Sequence, residues 1–411
     1  MFDEKLTDSL PASKVRDILS SPVRVGNTVI KNRIVIQPME GCDGTVRGAP
    51  DVLTNRRYHR FSESGAGLIW FEAVAVEENG RSNPRQLWLT EQNKELFKRL
   101  VFDIKNHAFA VSGSAPVLIM QATHSGRYSK PNGVPEPRIA CNNPIIEKDK
   151  PLPPDRIVTD DEIKRIEESY AVCVRLAEEA GFDGVDIKCC HGYLNSELLS
   201  AYTRKGEYGG SFENRTRFFR NCVDIAKANT GSDFIVTSRL NIYDNVPYPY
   251  GWGMSMDDIE PDLTEPIRLI DELGLDMLNI TMGNPYHNPH VNRPVEITSV
   301  RRMLELTKKI QDAFSKKEII LSAVTYLKEK AGYYAAKAIE EGYCTMVGFG
   351  RMAIAYPGFA QDMLDGTFDR RKVCITCGKC TELMRCGSVT GCVVRDQYYT
   401  DLYKEVMAKC V

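Results

Sequence analysis

Eight short apolar runs that alternate with amphipathic helical patterns constrain this sequence more than any other feature. The runs cover residues 34–39, 67–76, 117–123, 185–190, 234–240, 277–282, 319–324 and 343–350. Each run is apolar on both faces, which is typical of parallel strands buried between helices. Eight strand–helix units predict an α/β fold, a closed (β/α)8 TIM barrel. An open doubly wound sheet of eight strands is the alternative.

Helices and a hairpin complete the predicted barrel. Helical patterns cover residues 160–180, 212–230 and 327–341, and the first has Asp160 or Asp161 as its expected N-cap. Residues 22–33 alternate apolar and polar side chains around Gly26 and Asn27, which predicts a β-hairpin that caps the bottom of the barrel. Long loops at 79–88, 127–156 and 243–258 are typical of lids or binding loops.

Beyond Gly366 the periodicity stops and regularly spaced thiols take its place. We therefore predict two parts, a barrel over residues 1–366 and a cysteine-rich C-terminal segment over residues 367–411. Three thiols fall within seven residues and a fourth follows after eleven more: Cys374, Cys377, Cys380 and Cys392. Four thiolates suit a 4Fe-4S cluster or zinc. Structural zinc more often uses two separated pairs, so the cluster is favoured, with zinc and free thiols as alternatives and Cys386 as a bystander.

Composition excludes several function classes. A formal net charge of -2 over 411 residues predicts no nucleic-acid partner. No apolar run approaches the ~20 residues of a membrane span, and the first fifteen residues lack the apolar core of a signal peptide, so we expect no membrane association and a cytoplasmic location. Five of the thirteen cysteines fall between Cys374 and Cys392, which indicates metal binding rather than disulfides. Oligomeric state is left open, with a homo-oligomer as one option.

Titratable side chains cluster where the fourth predicted strand ends. Lys188, His191 and Tyr193 lie within six residues, and the carboxyl ends of barrel strands are where catalytic residues gather. His287 and His290 follow the sixth strand. A lone histidine is usually an ordinary loop residue, but this combination is typical of acid–base catalysis, and we include His287 but not His290 in it.

Other strand ends suggest a cofactor site. Pro38 and Met39 follow the first strand, and Gln121 and Arg239 end the third and the fifth. Gln121 offers a donor and an acceptor to a planar heterocycle, and Arg239 offers positive charge. Gly350 and Arg351 follow the eighth strand, where barrels of this kind hold phosphate. Each of these residues alone is more often structural, so the prediction depends on their occurring together.

Six motifs occur together in one order along the chain. They are NRIV at 32–35 with PM at 38–39, QATHSGR at 121–127, AGFDGVD at 180–186, HGYL at 191–194, YGGSFENR at 208–215, and GR at 350–351 with Pro357. With them the chain resembles the old yellow enzyme family of FMN flavoproteins. Within that family it resembles the iron–sulfur branch that includes 2,4-dienoyl-CoA reductase and trimethylamine dehydrogenase.

The resemblance implies where the cofactors bind. FMN would lie at the barrel mouth, with Pro38 and Met39 behind the ring, Gln121 at the pyrimidine edge and Arg239 near N1. The backbone of Ala323 and Val324 would meet the phosphate together with Gly350 and Arg351. The four tail thiols named above would hold the 4Fe-4S cluster.

The resemblance also implies catalytic roles, with departures. Relatives hold a substrate carbonyl with His/His or His/Asn, and here those places are taken by Lys188 and His191. Tyr193 occupies the place of the proton donor, His287 that of a histidine found in dienoyl-CoA reductases, and Arg204 that of an arginine beside the substrate. Relatives of this branch also continue into dinucleotide-binding domains. No G-x-G-x-x-G follows the cysteines here.

These features together predict an ene-reductase. We expect hydride transfer from FMN N5 to an activated C=C bond of a small molecule, an enone, enoate or enoyl thioester, with protonation by Tyr193. Electrons would come from a separate donor protein or subunit, or from NAD(P)H bound directly over the flavin. The alternatives are an oxidative amine dehydrogenase or demethylase on the same scaffold, a Schiff-base lyase that uses Lys188, and a non-catalytic electron-transfer subunit.

Overall fold

The computed structural model describes residues 10–148, 150–257 and 260–410. Its strands β1 to β10 are Val23–Val25, Thr28–Ile30, Ile34–Ile36, Leu68–Ala75, Val117–Thr123, Gly184–Ile187, Ile235–Asn241, Met277–Thr281, Glu318–Leu321 and Met346–Phe349. Its helices α1 to α15 are Ala12–Ser20, Val52–Ser62, Lys94–Ser112, Pro144–Glu147, Asp160–Glu179, Leu194–Leu199, Phe212–Ala228, Thr264–Leu273, Pro289–Asn292, Ile297–Ala313, Ala331–Glu340, Arg351–Ala355, Phe359–Asp365, Lys379–Arg385 and Gln397–Met407.

Strands β3 to β10 form a closed parallel barrel in which neighbours in sequence are neighbours in space. The barrel closes where β10 pairs with β3, with Val347 opposite Ile34. Every residue of β4, β5 and β6 is buried, as the apolar runs require for strands covered on both faces. The predicted (β/α)8 barrel is confirmed, and the alternative of an open sheet is wrong.

The N-terminal hairpin lies at the amino ends of the barrel strands. Strands β1 and β2 pair antiparallel on either side of Gly26, whose φ of 55° suits a residue without a Cβ. Val23, Val25 and Ile30 pack with apolar side chains of the barrel interior, which include Ile320. The hairpin therefore closes the bottom of the barrel, as its alternating pattern predicted.

Several boundaries differ from the sequence prediction. The N-cap of α5 is Thr159, whose side chain accepts from Glu162 N at 3.1 Å, because the aspartates that follow it are already helical. Helix α11 begins only at Ala331, after a 3-10 helix over Val324–Lys330. Helix α1 was not predicted. Residues 1–9, on which the signal-peptide argument partly depended, lie outside the described part. Over the described residues, every helix is too short or too polar to cross a bilayer.

The cysteine-rich segment packs against helix α2. Asp396 accepts from Arg56 Nη1 at 2.8 Å and also pairs with Arg60. Thr390 N donates to Gly41 O at 2.8 Å, which joins the segment to the loop after β3. Helix α13 ends before Gly366, which has a φ of 75°. The division at residues 366 and 367 nevertheless stays a prediction.

A buried ion-pair group holds the loop after β3 to the barrel. The Arg57 Nη2 atom lies 2.9 Å from Asp43 Oδ1 and 2.6 Å from Glu72 Oε1. Glu72 Oε2 also accepts from Gly41 N at 2.8 Å. All three side chains are buried, so neither carboxylate can exchange its partner for water. Removing the cation from such a group leaves uncompensated buried charge, which is costlier than the pair itself is stabilising.

We expect Arg57→Met to lower the free energy of unfolding by about 3–5 kcal/mol, because it leaves Asp43 and Glu72 without their cation. Urea denaturation followed by circular dichroism measures this change. The matched control is Arg99→Met, which removes a pair with Asp103 whose arginine side chain is 82% exposed. Its expected effect is below about 1 kcal/mol. Equal effects of the two substitutions would contradict the role assigned to Arg57.

Candidate active site

A cavity of about 210 Å³ opens at the carboxyl ends of the barrel strands. Residues near or beyond the carboxyl ends of all eight barrel strands contribute to its walls, and the cysteine-rich segment adds a further wall through residues such as Thr381 and Arg385. The carboxyl end of a (β/α)8 barrel is where its loops converge and where catalysis occurs in such folds. This cavity is therefore the candidate active site.

A buried carboxylate organises the floor of the cavity. Asp186 Oδ2 accepts from Trp70 Nε1 at 2.7 Å and from Gln121 Nε2 at 2.6 Å, and its Oδ1 accepts from Arg239 N at 2.7 Å. Burial raises the pKa of Asp186 to about 6. Because Nε2 of Gln121 is committed to Asp186, the oxygen Oε1 is the atom that this amide can offer to a ligand. Asp186 thus sets the orientation of a predicted cofactor residue.

Arg239 is buried beside that floor without full hydrogen bonding. Its side chain lines the cavity, and its Nε has no hydrogen-bond partner among the described residues. Burial lowers its pKa. A buried guanidinium N–H without an acceptor is costly, so an acceptor supplied by a bound molecule fits this position. That requirement matches the predicted role of Arg239 beside an electron-rich heterocycle.

Lys188, His191 and Tyr193 all line the same cavity, as their spacing predicted. Lys188 Nζ lies 3.8 Å from the centroid of the Tyr193 ring, a cation–π arrangement. Burial lowers the pKa of Lys188 and raises the pKa of Tyr193 well above its usual 10.0. Asn292 Nδ2 lies 3.0 Å from His191 Nε2 and also donates to Thr281 Oγ1. With Nε2 as the acceptor, neutral His191 has its proton on Nδ1.

Tyr286, and not His287, lies beside the predicted acid. The Tyr286 hydroxyl is 3.2 Å from the Tyr193 hydroxyl, and its ring stacks on Tyr128 with centroids 3.8 Å apart. His287 and His290 are both exposed, and neither lines the cavity. The loop after β8 turns immediately before these histidines, with Tyr286 N donating to Asn284 Oδ1 at 2.9 Å, and it is this turn that presents the tyrosine. The geometry therefore does not support His287 as a catalytic residue.

Glu40 is a cavity residue that the sequence analysis missed. It directly follows Met39 at the end of β3 and accepts from Asn83 Nδ2 at 3.0 Å. Burial raises its pKa, while the positive charge of Lys188 and hydrogen bonds, one of them from Tyr193, act in the opposite direction. Glu40 could have been predicted from the sequence, because it directly follows the predicted Pro38–Met39 pair and the residues after a barrel strand face the site.

The predicted phosphate-binding residues lie on one side of the cavity. Ala323, Gly350 and Arg351 line it, whereas the Val324 side chain is buried in the core, so that only its backbone is available. Ala323 has a φ of 74°, a left-handed conformation that is unusual for a residue with a Cβ. A Cβ at Gly350 would lie 2.9 Å from Met39 Sδ, so Gly350 lies close to the side chain of the predicted ring-backing residue Met39.

The four predicted metal ligands converge next to the cavity. Together with Arg351 and Ile354 they line a small pocket: Cys374, Cys377, Cys380 and Cys392. Among the described residues, no three of these sulfurs lie within 4.8 Å of one another. Cys386 forms a disulfide with Cys410 and does not line the pocket.

Arg204 lies away from the cavity. Its Nη1 donates to Ala140 O and its Nη2 to Asp160 Oδ1, both at 2.7 Å, and its side chain is largely buried. It therefore joins its own loop to the loop at Ala140 and to the first turn of α5, and it does not line the cavity. The expected contact with a substrate has no support in this geometry.

Known proteins resemble the chain over most of its length. Residues 19–369 match the sequence profile of the NADH:flavin oxidoreductase / NADH oxidase family. Cinnamate reductase of Clostridium sporogenes is 26% identical over 387 residues, which cover 88% of this chain and 54% of that protein. N,N-dimethylglycine/sarcosine dehydrogenase of Chromohalobacter salexigens is 27% identical over 386 residues, which cover 89% of this chain and 51% of the dehydrogenase. The chain thus spans about half the length of these relatives.

A solved structure shares the fold. The complex of 2-naphthoyl-CoA reductase with 2-naphthoyl-CoA matches with a TM-score of 0.78 at 21% identity, over 94% of this chain and 58% of that one. At this identity the match supports the architecture alone. From the profile match and the closed barrel, we conclude that the chain belongs to the NADH:flavin oxidoreductase / NADH oxidase family, the flavin-dependent oxidoreductases that include the old yellow enzymes.

Proposed function

We propose that the protein is an ene-reductase that uses FMN and a 4Fe-4S cluster to reduce a C=C bond conjugated to a carbonyl. One observation carries the proposal. Three potential donors, Lys188, His191 and Tyr193, line the cavity whose floor contains Gln121 and Arg239. Reduction of a conjugated double bond needs hydrogen-bond donors to the carbonyl oxygen and a proton donor to carbon, both placed above the site of the flavin ring.

The cavity residues fit FMN. Gln121 Oε1 and the unpartnered Arg239 Nε would meet the polar edge of the ring, and Pro38 and Met39 would lie behind it. Arg351 and the backbone at Ala323 and Gly350 would hold the phosphate. FMN, when bound, supplies the hydride. The cavity residues named above would orient the ring and exclude water from one of its faces.

Lys188 and His191 would bind the substrate carbonyl. Burial, reinforced by the positive charges of Arg239 and Lys188, keeps the pKa of His191 well below 6.5, so the imidazole is neutral at pH 7 and donates through Nδ1. Lys188 provides the charged donor. Hydrogen bonds that strengthen as negative charge develops on the carbonyl oxygen stabilise the transition state more than the ground state.

Tyr193 would donate the proton to carbon. Its pKa is raised well above 10.0 by burial, so it stays protonated at pH 7. The Tyr286 hydroxyl, 3.2 Å away, would return a proton to it, since Tyr286 is 43% exposed and in contact with solvent. This pair takes the place that the sequence analysis gave to Tyr193 and His287.

The spacing of the four tail thiols, three within seven residues and the fourth after eleven more, favours a 4Fe-4S cluster over zinc. The cluster, when bound, supplies single electrons. Arg351 lines both the cavity and the thiol pocket, so the two sites share a wall. We propose that a separate donor protein reduces the cluster, with NAD(P)H bound over the flavin as the alternative source of electrons.

An amine dehydrogenase is the second candidate, and Glu40 favours it because a carboxylate binds an ammonium group. The name of the Chromohalobacter relative belongs to that class, whereas the name of the Clostridium relative belongs to the class proposed here. The charge of the cavity supports the ene-reductase. Besides Arg239 and Arg351, which are assigned to FMN, the cavity lining contains three cationic residues against the single carboxylate of Glu40: Lys188, Arg293 and Arg385. Such a cavity repels an ammonium ion and attracts a carbonyl oxygen that gains negative charge.

The direct test uses the purified protein without oxygen. We expect flavin and iron by chemical analysis, and we expect dithionite-reduced enzyme to regain its oxidised flavin spectrum when an enone such as 4-phenylbut-3-en-2-one is added. Dimethylglycine added to oxidised enzyme should leave the spectrum unchanged. Bleaching by the amine would favour the second candidate. Purified protein that contains no flavin would contradict both candidate functions. Borohydride trapping of a carbonyl compound on Lys188 would then indicate a lyase.

We expect Tyr193→Phe to slow reoxidation of reduced enzyme by an enone by ~10² to 10⁴, the usual value of general acid catalysis, while flavin reduction changes little. Stopped-flow absorbance separates the two half-reactions. Tyr286→Phe should slow reoxidation less, because it removes only the group that returns the proton. Tyr398→Phe, an exposed tyrosine of α15, is the matched control and should match wild type. Wild-type reoxidation in Tyr193→Phe would disprove the assignment of the acid.

The pH profile tests Lys188. Because burial lowers the pKa of Lys188 below 10.5 and raises the pKa of Tyr193 well above 10.0, the ammonium loses its proton first as pH rises. We therefore expect kcat/KM for the enone to fall on the alkaline side with a midpoint below pH 10.5, and Lys188→Met to lack this limb. Lys31→Met is the control, since burial also lowers the pKa of Lys31 but it bonds Ser112 and Ser114 outside the cavity. If kcat/KM of Lys188→Met still falls on the alkaline side, that fall is due to another group and the role assigned to Lys188 is wrong.

A further inference from the structure

Two arginines meet on a wall of the cavity. This wall is formed by residues that follow Lys188, His191 and Tyr193 by about a hundred positions or more in the chain. Arg293 belongs to the loop after α9, and Arg385 ends α14 in the cysteine-rich segment, and both line the cavity. Their Nη2 atoms share one acceptor, the carbonyl oxygen of Pro285, at 3.2 and 3.3 Å. Two guanidinium groups therefore converge on a single point, although they come from parts of the chain that are about ninety residues apart.

No carboxylate balances this charge. Among the described residues, none lies within 4.0 Å of either guanidinium, and the remaining bond of Arg293 goes to the neutral Thr381 Oγ1 at 2.9 Å. Glu40, the one acidic cavity residue, is bonded instead to Asn83. Burial lowers the pKa of Arg293, and the neighbouring charges of Arg385 and Arg351 lower it further. The protein thus holds like charges together around a neutral acceptor, an arrangement that a bound anion would stabilise.

An anion bound by these two arginines would be a different group from the FMN phosphate and from the carbonyl oxygen of the substrate. FMN phosphate is assigned to Arg351 and the backbone at Gly350, and the carbonyl oxygen of the substrate to Lys188 and His191. Arg293 and Arg385 remain. Guanidinium groups bind carboxylate and phosphate through paired N–H donors, and both are anions that small-molecule substrates commonly carry.

We propose that Arg293 and Arg385 form a subsite for a carboxylate or phosphate group of the substrate, separate from the carbonyl that activates its double bond. This inference rests on the proposed function, because it names the class of enone that the ene-reductase site takes. The subsite includes a residue of the cysteine-rich segment, so that this segment contributes to substrate selection as well as to metal binding. The substrate would reach from Lys188 to the wall formed by α14.

Three probes test the subsite. They are derivatives of 4-phenylbut-3-en-2-one with a carboxylate, a phosphate ester or a neutral carboxamide at the para position of the ring. Isothermal titration of oxidised holoenzyme without oxygen measures their affinities without turnover. We expect at least one of the anionic probes to bind about tenfold or more tightly than the carboxamide. The preferred anion identifies the group. Equal affinities for all three probes would overturn the proposal.

Substitutions assign the preference to the arginines. Arg385 is exposed, so Arg385→Gln should fold normally, and we expect it to reduce the preference for the anion to about twofold or less. Arg385→Lys should restore part of it. Arg371→Gln is the matched control, because Arg371 belongs to the same segment but pairs with Asp369 in solvent. A full anion preference in Arg385→Gln would overturn the proposal.

Flavin content separates the remaining explanations. We expect Arg385→Gln to retain the FMN content of wild type, measured by absorbance after release. Loss of FMN would show that the arginine holds the cofactor phosphate and would overturn the subsite. Reoxidation by the carboxamide enone tests the ene-reductase by itself. If this neutral enone is reduced but no anionic probe is preferred, the proposed function stands and the subsite falls. If an anion is preferred but no enone is reduced, the two arginines bind an anion, but the proposed function falls and with it the assignment of that anion to an enone substrate.

Discussion

The carboxylate of Asp186 is the interaction on which the geometry of the site depends. It lies on β6 inside the barrel and accepts from Trp70 on β4, from Gln121 on β5 and from the backbone of Arg239 on β7. A buried carboxylate is costly unless donors surround it, and here three donors at 2.6–2.7 Å do so. In satisfying this one group, the fold aims an amide and an arginine at the same cavity.

The cavity is completed by two segments that are not part of the barrel. The loop after β3 is held down by the buried group around Arg57, and this loop places Met39 and Glu40 at the mouth. The cysteine-rich segment bonds the same loop through Thr390 and Gly41 and adds Thr381 and Arg385 to the wall. Substrate site and thiol site therefore share their supports, which explains how a small segment can serve both.

Electrostatics gives the cavity its chemical character. Burial acts in opposite directions on the two proton-carrying groups, since it lowers the pKa of Lys188 and raises the pKa of Tyr193. The Tyr193 phenol is thereby kept protonated, whereas the Lys188 ammonium next to its ring is made easier to deprotonate. The cavity lining also contains more cationic than anionic side chains. Glu40 is the exception, and it is hydrogen-bonded to Asn83 and Tyr193.

The sequence by itself determined eight buried parallel strands, because runs that are apolar on both faces must be covered on both sides. It left a closed barrel and an open sheet as alternatives, and the pairing of β10 with β3 decided for the barrel. It also determined that Lys188, His191, Tyr193, Gln121 and Arg239 meet, since strand ends in a barrel face one opening. It did not determine which side chain of a loop turns inward. Tyr286 faces the site and the adjacent His287 faces solvent because of a turn at Asn284, and Arg204 is drawn to Asp160 instead of the cavity. Contacts between segments distant in sequence, such as Arg293 with Arg385 at Pro285 O, arise only when the tail packs on the barrel. Periodicity records burial within an element, whereas these contacts depend on how separate elements pack, and so only the tertiary structure decided them.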